Sequence, residues 1–229
     1  MNPSPSSAAL DHLVVLVDTL AQGVAWCETT LGVTPAPGGE HALFGTHNRL
    51  LAIGGPAWPR AYLEIIAVDP AATPARRRWF DLDDAALREA VRVHGPRLIH
   101  WVARVPELAA ASVAWAAQGL DAGDILAASR MTPRGLLQWR IAVRADGRRL
   151  LDGCAPTLIE WGAVHPAASL PASGVTLQSL GLRHPQAAAL QGALAAIGVP
   201  GIAVAAADAA AMQVRLATPR GELVLDSGF

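Results

Sequence analysis

The feature that most limits how this chain folds is a recurring order of short apolar segments separated by glycine and proline turns. The first segment, Leu10 to Val17, is apolar and β-branched, which is typical of a buried strand. Asp18 and Thr19 then predict the cap of a helix that ends before Gly32. Strand-like stretches follow at 41–44, 50–53 and 62–68. The local order is therefore strand, helix, strand, strand, strand.

The same order recurs twice more along the chain. A strand at 98–105 and a helix at 106–118 precede strands at 125–131, 135–143 and 157–161. A weaker copy has a strand at 175–182, a helix at 186–197 and strands near 213–217 and 222–225. The sequence thus predicts a first βαβββ module at 8–68, a linker with a helix at 69–95, a second module at 96–166 and a third at 174–229.

Composition and charge exclude several classes of function. With 18 basic and 19 acidic residues, the chain has no general attraction to nucleic acid or anionic lipid. Every basic residue is arginine, so Schiff-base and Walker-type chemistry that needs a lysine is excluded. No apolar run is long enough to span a membrane, and residues 1–7 lack the basic start of a secretory signal. We expect a cytoplasmic protein with no nucleic-acid or membrane partner.

Each of the first two modules has a histidine in its opening strand and a glutamate in its closing strand. These are His12 with Glu64, and His100 with Glu160. A charged group inside an apolar strand is costly unless it is paired, and one divalent cation would stabilise all four together. Imidazole and carboxylate ligands suit Zn, Ni, Fe(II), Mn or Co. The alternatives are structural histidines and glutamates that face water.

The order and register of these motifs resemble the vicinal oxygen chelate superfamily, and more narrowly its glyoxalase-like domain branch. The resemblance implies an α+β fold, in which repeated βαβββ modules form curved mixed sheets around a cleft with a metal on its inner wall. The third, C-terminal module keeps none of the metal residues and is a degenerate copy. The motifs that carry the resemblance lie between residues 10 and 166: LDHLVVLV, GTHNRLLAIG, YLEIIAVDP, RRWF, LIHWVARV, LLQWRIAV, and LIEWG with the following His165–Pro166.

The resemblance implies a metal-dependent enzyme, a lyase, an isomerase or a ring-cleaving dioxygenase. Its metal, held by His12, Glu64, His100 and Glu160, would chelate two neighbouring oxygens of a small substrate and act as a Lewis acid. Glu64 or Glu160, once released from the metal, would serve as the base. The alternative is a protein that binds a small molecule on the same fold without turning it over. The superfamily often dimerises, and both a homodimer and a site within one chain stay open.

Five further residues are weaker candidates. His47 follows a short strand and is a candidate general acid or base, although turn formation with its neighbour Asn48 explains it equally. Asn48 is a candidate for substrate binding. Gln138 and Arg140 share a strand face and would hold an anionic or carbonyl group, unless that face is solvated. Trp101 is expected in the cleft wall or in the core.

Overall fold

The computed structural model describes residues 7–132 and 135–227. The expectation about the amino terminus rests on residues 1–7, of which residues 1–6 lie outside the described residues, as do residues 228 and 229 of the third predicted module. In the part of the chain that the structure describes, no helix is long and apolar enough to cross a membrane.

The first βαβββ unit begins with a strand that is buried along its whole length. Thr19 caps the following helix, because its side chain accepts a hydrogen bond from the Gln22 backbone N–H. That helix continues as a π-helical turn over Cys27–Leu31 and ends at Gly32, whose φ of 75° suits glycine. The elements are β1 (Ala9–Leu16), α1 (Leu20–Trp26), β2 (Ala36–His41), β3 (Thr46–Ala52) and β4 (Tyr62–Val68).

The strand predicted at 41–44 is the turn between β2 and β3, and the strand itself lies earlier, at Ala36–His41. Pro37, Gly38 and Gly39 are poor strand formers, which hid β2 from the sequence analysis. They occupy an irregular stretch of the β2–β3 ladder. A Cβ atom on Gly38 would lie 2.0 Å from Asn48 Oδ1, so close approach of the two strands requires glycine there.

The linker, second unit and third unit follow in the predicted order. Asp84 caps the linker helix by accepting from the backbone N–H groups of Ala86 and Leu87. The linker helix is α2 (Ala85–His94). The second unit consists of β5 (Arg97–Arg104), α3 (Leu108–Ala116), β6 (Asp124–Thr132), β7 (Gly135–Val143) and β8 (Thr157–Trp161). The third consists of β9 (Thr176–His184), α4 (Ala187–Ala196), β10 (Ala203–Ala206), β11 (Ala211–Thr218) and β12 (Gly221–Asp226).

The strands of the first two units form one curved, mixed sheet in the order β2-β3-β4-β1-β5-β8-β7-β6. Antiparallel pairing of β1 with β5 joins the units at its centre, whereas β1 and β4, and β5 and β8, are parallel. The third unit forms a separate four-stranded sheet in the order β10-β9-β11-β12. The predicted α+β fold of repeated βαβββ units is confirmed.

Alternation along the strands divides the apolar residues between two faces of the large sheet. On the concave face, Val14, Ile66 and Val102 pack in one cluster with Trp79 and Phe80 of the linker. On the convex face, Leu13, Leu63 and Trp101 belong to a larger cluster that also contains residues of α3 and of the third unit. The linker therefore lies over the concave face, and the third unit covers the convex one.

Candidate active site

A narrow cleft lies on the concave face of the large sheet, and its empty volume is about 450 Å³ when the space open to solvent is included. We call it the inner cleft. The first unit supplies its polar wall, and the second unit supplies an opposite wall that is largely apolar and aromatic. Among the lining residues are His12, His41, Asn48 and Glu64 of the polar wall, and Leu137, Trp139, Ile159 and Trp161 of the opposite wall.

Glu64 is the central acidic group of the polar wall. It lies on β4 with Tyr62 and Ile66 on the same face, as the alternation predicts, and it is only 5% exposed. Asn48 Nδ2 donates to Glu64 Oε1 at 2.6 Å, and Asn48 Oδ1 accepts from the Gly39 N–H at 2.7 Å. The amide of Asn48 is thereby fixed, and it holds one oxygen of the carboxylate in place.

His12 lies beside the other oxygen of that carboxylate. Its Nε2 is 3.6 Å from Glu64 Oε2, and its Nδ1 is 2.7 Å from Asp11 Oδ1. The ring of Tyr62 stacks on the imidazole with centroids 4.5 Å apart. His12 therefore bridges two buried carboxylates in a fixed orientation.

Asp11 reaches His12 because the β1–β5 ladder is irregular between Leu10 and His12. Its carboxylate is completely buried and also accepts hydrogen bonds from Trp161 Nε1 at 3.1 Å and His165 Nε2 at 2.8 Å. Ala167 donates its backbone N–H to His165 Nδ1, so the proton of His165 is on Nε2. Asp11 thus joins the first strand to the segment after β8.

The charges of this network favour an ion pair between His12 and the carboxylates. Burial alone would lower the pKa of His12, but the hydrogen bond to Asp11 and the nearby carboxylate of Glu64 raise that pKa to about 9. Burial would raise the pKa of Glu64, and the contacts with His12, His41 and Asn48 lower it instead. At neutral pH the polar wall therefore presents an imidazolium beside a carboxylate.

His41 is a further imidazole at the same carboxylate. Its Nε2 is 4.0 Å from Glu64 Oε1, and its Nδ1 is 3.0 Å from Thr46 Oγ1. Burial lowers the pKa of His41 to about 4, so this ring is neutral where His12 is charged.

His100, predicted as a metal ligand, lies on the concave face of β5 but does not line the inner cleft. Its Nε2 accepts from the Thr157 backbone N–H at 3.2 Å, and its Nδ1 is 3.1 Å from the Gly153 carbonyl oxygen, to which it donates. Burial lowers the pKa of His100 to about 3. Both ring nitrogens therefore bind backbone groups.

Glu160, the fourth predicted ligand, lies on the convex face of β8. Ile159 and Trp161 line the inner cleft, so alternation turns the residue between them away from it. Glu160 Oε2 accepts from the Leu108 N–H at the start of α3 at 2.7 Å, and Oε1 is 3.3 Å from Arg140 Nη1. Its position corrects the prediction that it faces the cleft.

The four predicted ligands do not fit a shared metal ion in this arrangement. Only His12 and Glu64 lie together, whereas His100 and Glu160 are engaged elsewhere. Within residues 7–132 and 135–227, no group of three or more His, Cys, Asp and Glu side chains is arranged to hold a metal. Metal binding stays a prediction from the sequence.

Of the weaker candidates, only Asn48 lines the inner cleft. His47 precedes it on β3 and lines a different pocket, beside Arg88 and Val91 of α2. Arg140 and Gln138 are exposed on the convex face of β7, and the Trp101 side chain is buried, with Nε1 donating to the Cys154 carbonyl oxygen. The structure therefore agrees with the core alternative for Trp101 and the solvated-face alternative for Gln138 and Arg140, and it places His47 outside the inner cleft.

Sequence reasoning missed Asp11, His41 and Arg130 as parts of the site. Asp11 precedes His12 directly, and an adjacent pair in a strand is expected to point to opposite faces unless the ladder is irregular. His41 belongs to the strand that the glycines obscured. Arg130 lies opposite Leu137 in the β6–β7 ladder, so it shares the cleft face. The alternation of β6 was the only signal for it.

The chain belongs to the glyoxalase-like domain family, because the family model matches residues 10–198. This confirms the predicted resemblance to the vicinal oxygen chelate superfamily. Comparison with curated protein sequences gives no match.

Of the following three solved structures that match this chain, only the first supports the similarity of fold. A hypothetical protein from Staphylococcus aureus has a TM-score of 0.57 at 11% identity, covering 89% of this chain and 88% of that chain. Methylmalonyl-CoA epimerase from Mycobacterium tuberculosis has a TM-score of 0.40 at 16% identity, covering 70% and 91%. The Streptomyces coelicolor epimerase, in complex with 2-nitronate-propionyl-CoA, has a TM-score of 0.41 at 14% identity, covering 68% and 97%.

Proposed function

We propose that this protein is an enzyme of the isomerase or lyase type that moves a proton on a carbon atom next to a carbonyl group of a small substrate. The observation that carries the proposal is the pair formed by the Glu64 carboxylate and the His12 imidazole, 3.6 Å apart on the wall of the inner cleft. A general base and a general acid side by side are what such a proton transfer needs.

In the first step, Glu64 takes the proton from the carbon atom next to the carbonyl. The electron pair of the broken C–H bond moves into the carbonyl group, whose oxygen becomes an enolate oxygen. The His12 imidazolium donates a hydrogen bond or its proton to that oxygen, which stabilises the developing charge. Delivery of that proton from Glu64 to a different carbon atom of a conjugated enolate completes an isomerisation. Loss of a leaving group from the next carbon, with the electron pair of its bond to that carbon, instead completes an elimination.

The rest of the network supports these roles by holding both groups in place. Asp11 accepts from His12 Nδ1, so that Nε2 is the nitrogen turned toward Glu64. Asn48 holds the opposite oxygen of Glu64, which leaves Oε2 on the His12 side. The low exposure of both residues strengthens the charge interactions with a bound substrate.

Proton exchange with solvent tests the proposal. Small 2-oxo acids, 2-ketones and thioesters are incubated with the enzyme in D₂O, and incorporation of deuterium next to the carbonyl is followed by NMR. We expect at least one of these classes to exchange faster than in a protein-free control. Glu64→Gln should slow that exchange by about 10²- to 10⁴-fold, the usual contribution of a general base.

Glu160→Gln is the matched control, since it makes the same chemical change on the convex face. It should leave exchange within about threefold of the wild-type rate, because Glu160 does not line the inner cleft. Binding of these probes without any exchange would contradict the proposal and favour the non-catalytic binding protein instead.

A further inference from the structure

A second, larger cavity lies beside the inner cleft, at the edges of the sheet. It lies between β2, β6 and the segment at 164–170, and its empty volume is about 1040 Å³ when the space open to solvent is included. We call it the outer groove. Leu50, Arg130, Leu137 and Pro166 line both cavities, so the two lie side by side. A ligand longer than the inner cleft would pass these residues to extend into the outer groove.

Arg130 lies at the junction of the two cavities. Its guanidinium reaches from β6, one edge of the large sheet, to β2, the other edge. A Cβ atom on Gly39 would overlap the guanidinium at Nη1, so the glycine leaves the space that Arg130 occupies. Gly39 also donates its backbone N–H to Asn48, the residue that holds Glu64. Arg130 and the polar wall therefore contact the same glycine-containing, irregular stretch of β2.

One donor of Arg130 has no hydrogen-bond partner among the residues that the structure describes. Its Nε is buried and has no partner within the described residues, and no described carboxylate forms an ion pair with it. Trp79 Nε1, on a second residue that lines the inner cleft, is likewise buried without a partner. Arg49 and Arg104 also have a buried Nε without a partner, but neither residue lines the inner cleft. A ligand acceptor is one physical reason for buried donors at a cleft.

The rest of the outer groove offers mostly apolar surface. Met131, whose side chain is largely exposed, Leu170 and Val164 line it together with the backbone of Gly38 and Gly39. Ser169, a polar residue in it, already donates its hydroxyl to the Pro166 carbonyl oxygen. The groove therefore suits an aliphatic chain better than a polar group.

We infer that the substrate is an organic anion with an aliphatic chain, whose carboxylate binds Arg130 and whose chain lies in the outer groove. The inference rests on the proposed function, since it places the reacting carbon beside Glu64 in the inner cleft. A guanidinium with a free donor recognises a carboxylate through a charge-assisted hydrogen bond, and the groove contributes by burying the chain.

Binding of straight-chain 2-oxo acids with four, six and eight carbons tests the inference, with 2-octanone as the probe that lacks the carboxylate. Quenching of tryptophan fluorescence reports binding, since Trp139 and Trp161 line the inner cleft. We expect affinity to rise about threefold for each added methylene and the eight-carbon acid to bind at least tenfold more tightly than 2-octanone. Equal affinities along the series, or for acid and ketone, would overturn the inference.

Arg130→Gln should abolish the preference for acid over ketone while leaving the ketone affinity unchanged. Arg140→Gln, the same change on the exposed face of the neighbouring strand, should preserve that preference. Gly39→Ala provides a second route, because its Cβ would displace the guanidinium of Arg130, and it should weaken acid binding alone. Retention of the preference in both folded variants would contradict the role of Arg130.

The two proposals fail in different ways in this experiment. Glu64→Gln should keep the chain-length and carboxylate preferences while losing deuterium exchange. If the wild-type protein catalyses exchange but shows neither preference, only the assignment of the substrate is overturned. If it shows both preferences but catalyses no exchange, the proposed binding site stands and the proposed proton-transfer activity is overturned.

Discussion

The first and second units place the same two residue types at equivalent positions, and they use them differently. In the first unit, His12 and Glu64 face each other across 3.6 Å on the wall of the inner cleft. In the second, His100 binds backbone groups in the interior, and Glu160 caps α3 on the opposite face of the sheet. The histidine and the glutamate therefore occupy equivalent strand positions in the two units, but their side chains have different roles.

The difference follows from the hydrogen-bonding and charged groups that surround each histidine. His12 has two carboxylates beside it, Asp11 and Glu64, and therefore holds a proton. His100 has a backbone donor on one nitrogen and a backbone acceptor on the other, which fixes the neutral ring. Equivalent residues become an acid–base pair in one unit and structural hydrogen-bonding groups in the other.

Replacing each histidine by alanine should give the largest difference between the two units, measured as the loss in the free energy of unfolding. His12→Ala leaves the carboxylates of Asp11 and Glu64 buried without their cation, which should lower the free energy of unfolding by about 3–5 kcal/mol. His100→Ala loses neutral hydrogen bonds and should cost about 1–3 kcal/mol. Urea denaturation at pH 7 measures both. An equal or larger loss for His100→Ala would contradict the contrast between the units.

The two histidines should also titrate in opposite directions from the ordinary value of 6.5. His12, with a pKa raised to about 9, gives stability that is fully present below about pH 6.5 and is lost as pH rises through 9. His100, with a pKa lowered to about 3, makes the fold lose stability as pH falls from 6.5 toward 3. Each pH unit in these ranges is worth up to about 1.4 kcal/mol per group.

NMR titration of the two imidazole rings checks this directly, and urea denaturation of His100→Asn at pH 5 and pH 7 checks the linked stability. The variant should lose less stability than the wild type between pH 7 and pH 5. If the rings of His12 and His100 both titrate near pH 6.5, their surroundings do not shift the two pKa values as described.

Loss of the Glu160 charge should have a small effect on stability. Glu160→Gln weakens the favourable interaction of a carboxylate with the first turn of α3 and removes the half-exposed ion pair with Arg140. Together these should cost about 1 kcal/mol. Arg140→Gln removes only the ion pair, so its smaller effect on thermal unfolding serves as the control. A loss as large as that of His12→Ala would place Glu160 in a network that the structure does not show.

Metal content should not respond to Glu160 at all. The sequence predicts four ligands, whereas the structure brings only His12 and Glu64 together. If the purified protein takes up Zn, Ni, Fe, Mn or Co, we expect Glu160→Gln to bind the same amount as the wild type, measured by elemental analysis after dialysis. A clear loss of metal in Glu160→Gln would restore the four-ligand interpretation and require Glu160 to turn toward the concave face.

Much of the fold was predictable from the sequence, because apolar periodicity acts locally. The run Leu10 to Val17 and the cap at Thr19 predicted β1 and α1, and the structure contains both. The strand β2 was not predictable, since Pro37, Gly38 and Gly39 are unfavourable in a strand interior. Their contacts with Asn48 and Arg130 come from elements distant in sequence.

The candidate site was predictable only in part. Alternation predicted that His12 shares a face of β1 with Val14 and that Glu64 shares a face of β4 with Ile66, because it fixes the face of a residue within its own strand. The pairing of the second unit with the first decides which face of β8 lines the cleft. Alternation within β8 does not give that information. Glu160 therefore shared the pattern of Glu64 without sharing its direction.

By itself, the sequence determined the repeated βαβββ order and the presence of titratable groups in buried strands, because both follow from the types of residue at local spacings. Only the tertiary structure decided that Asp11, His41 and Arg130 belong to the site. Their positions depend on an irregular ladder, a glycine-rich strand and the approach of two sheet edges. Such long-range contacts join residues that no local pattern connects, so they arise only when the whole sheet has assembled.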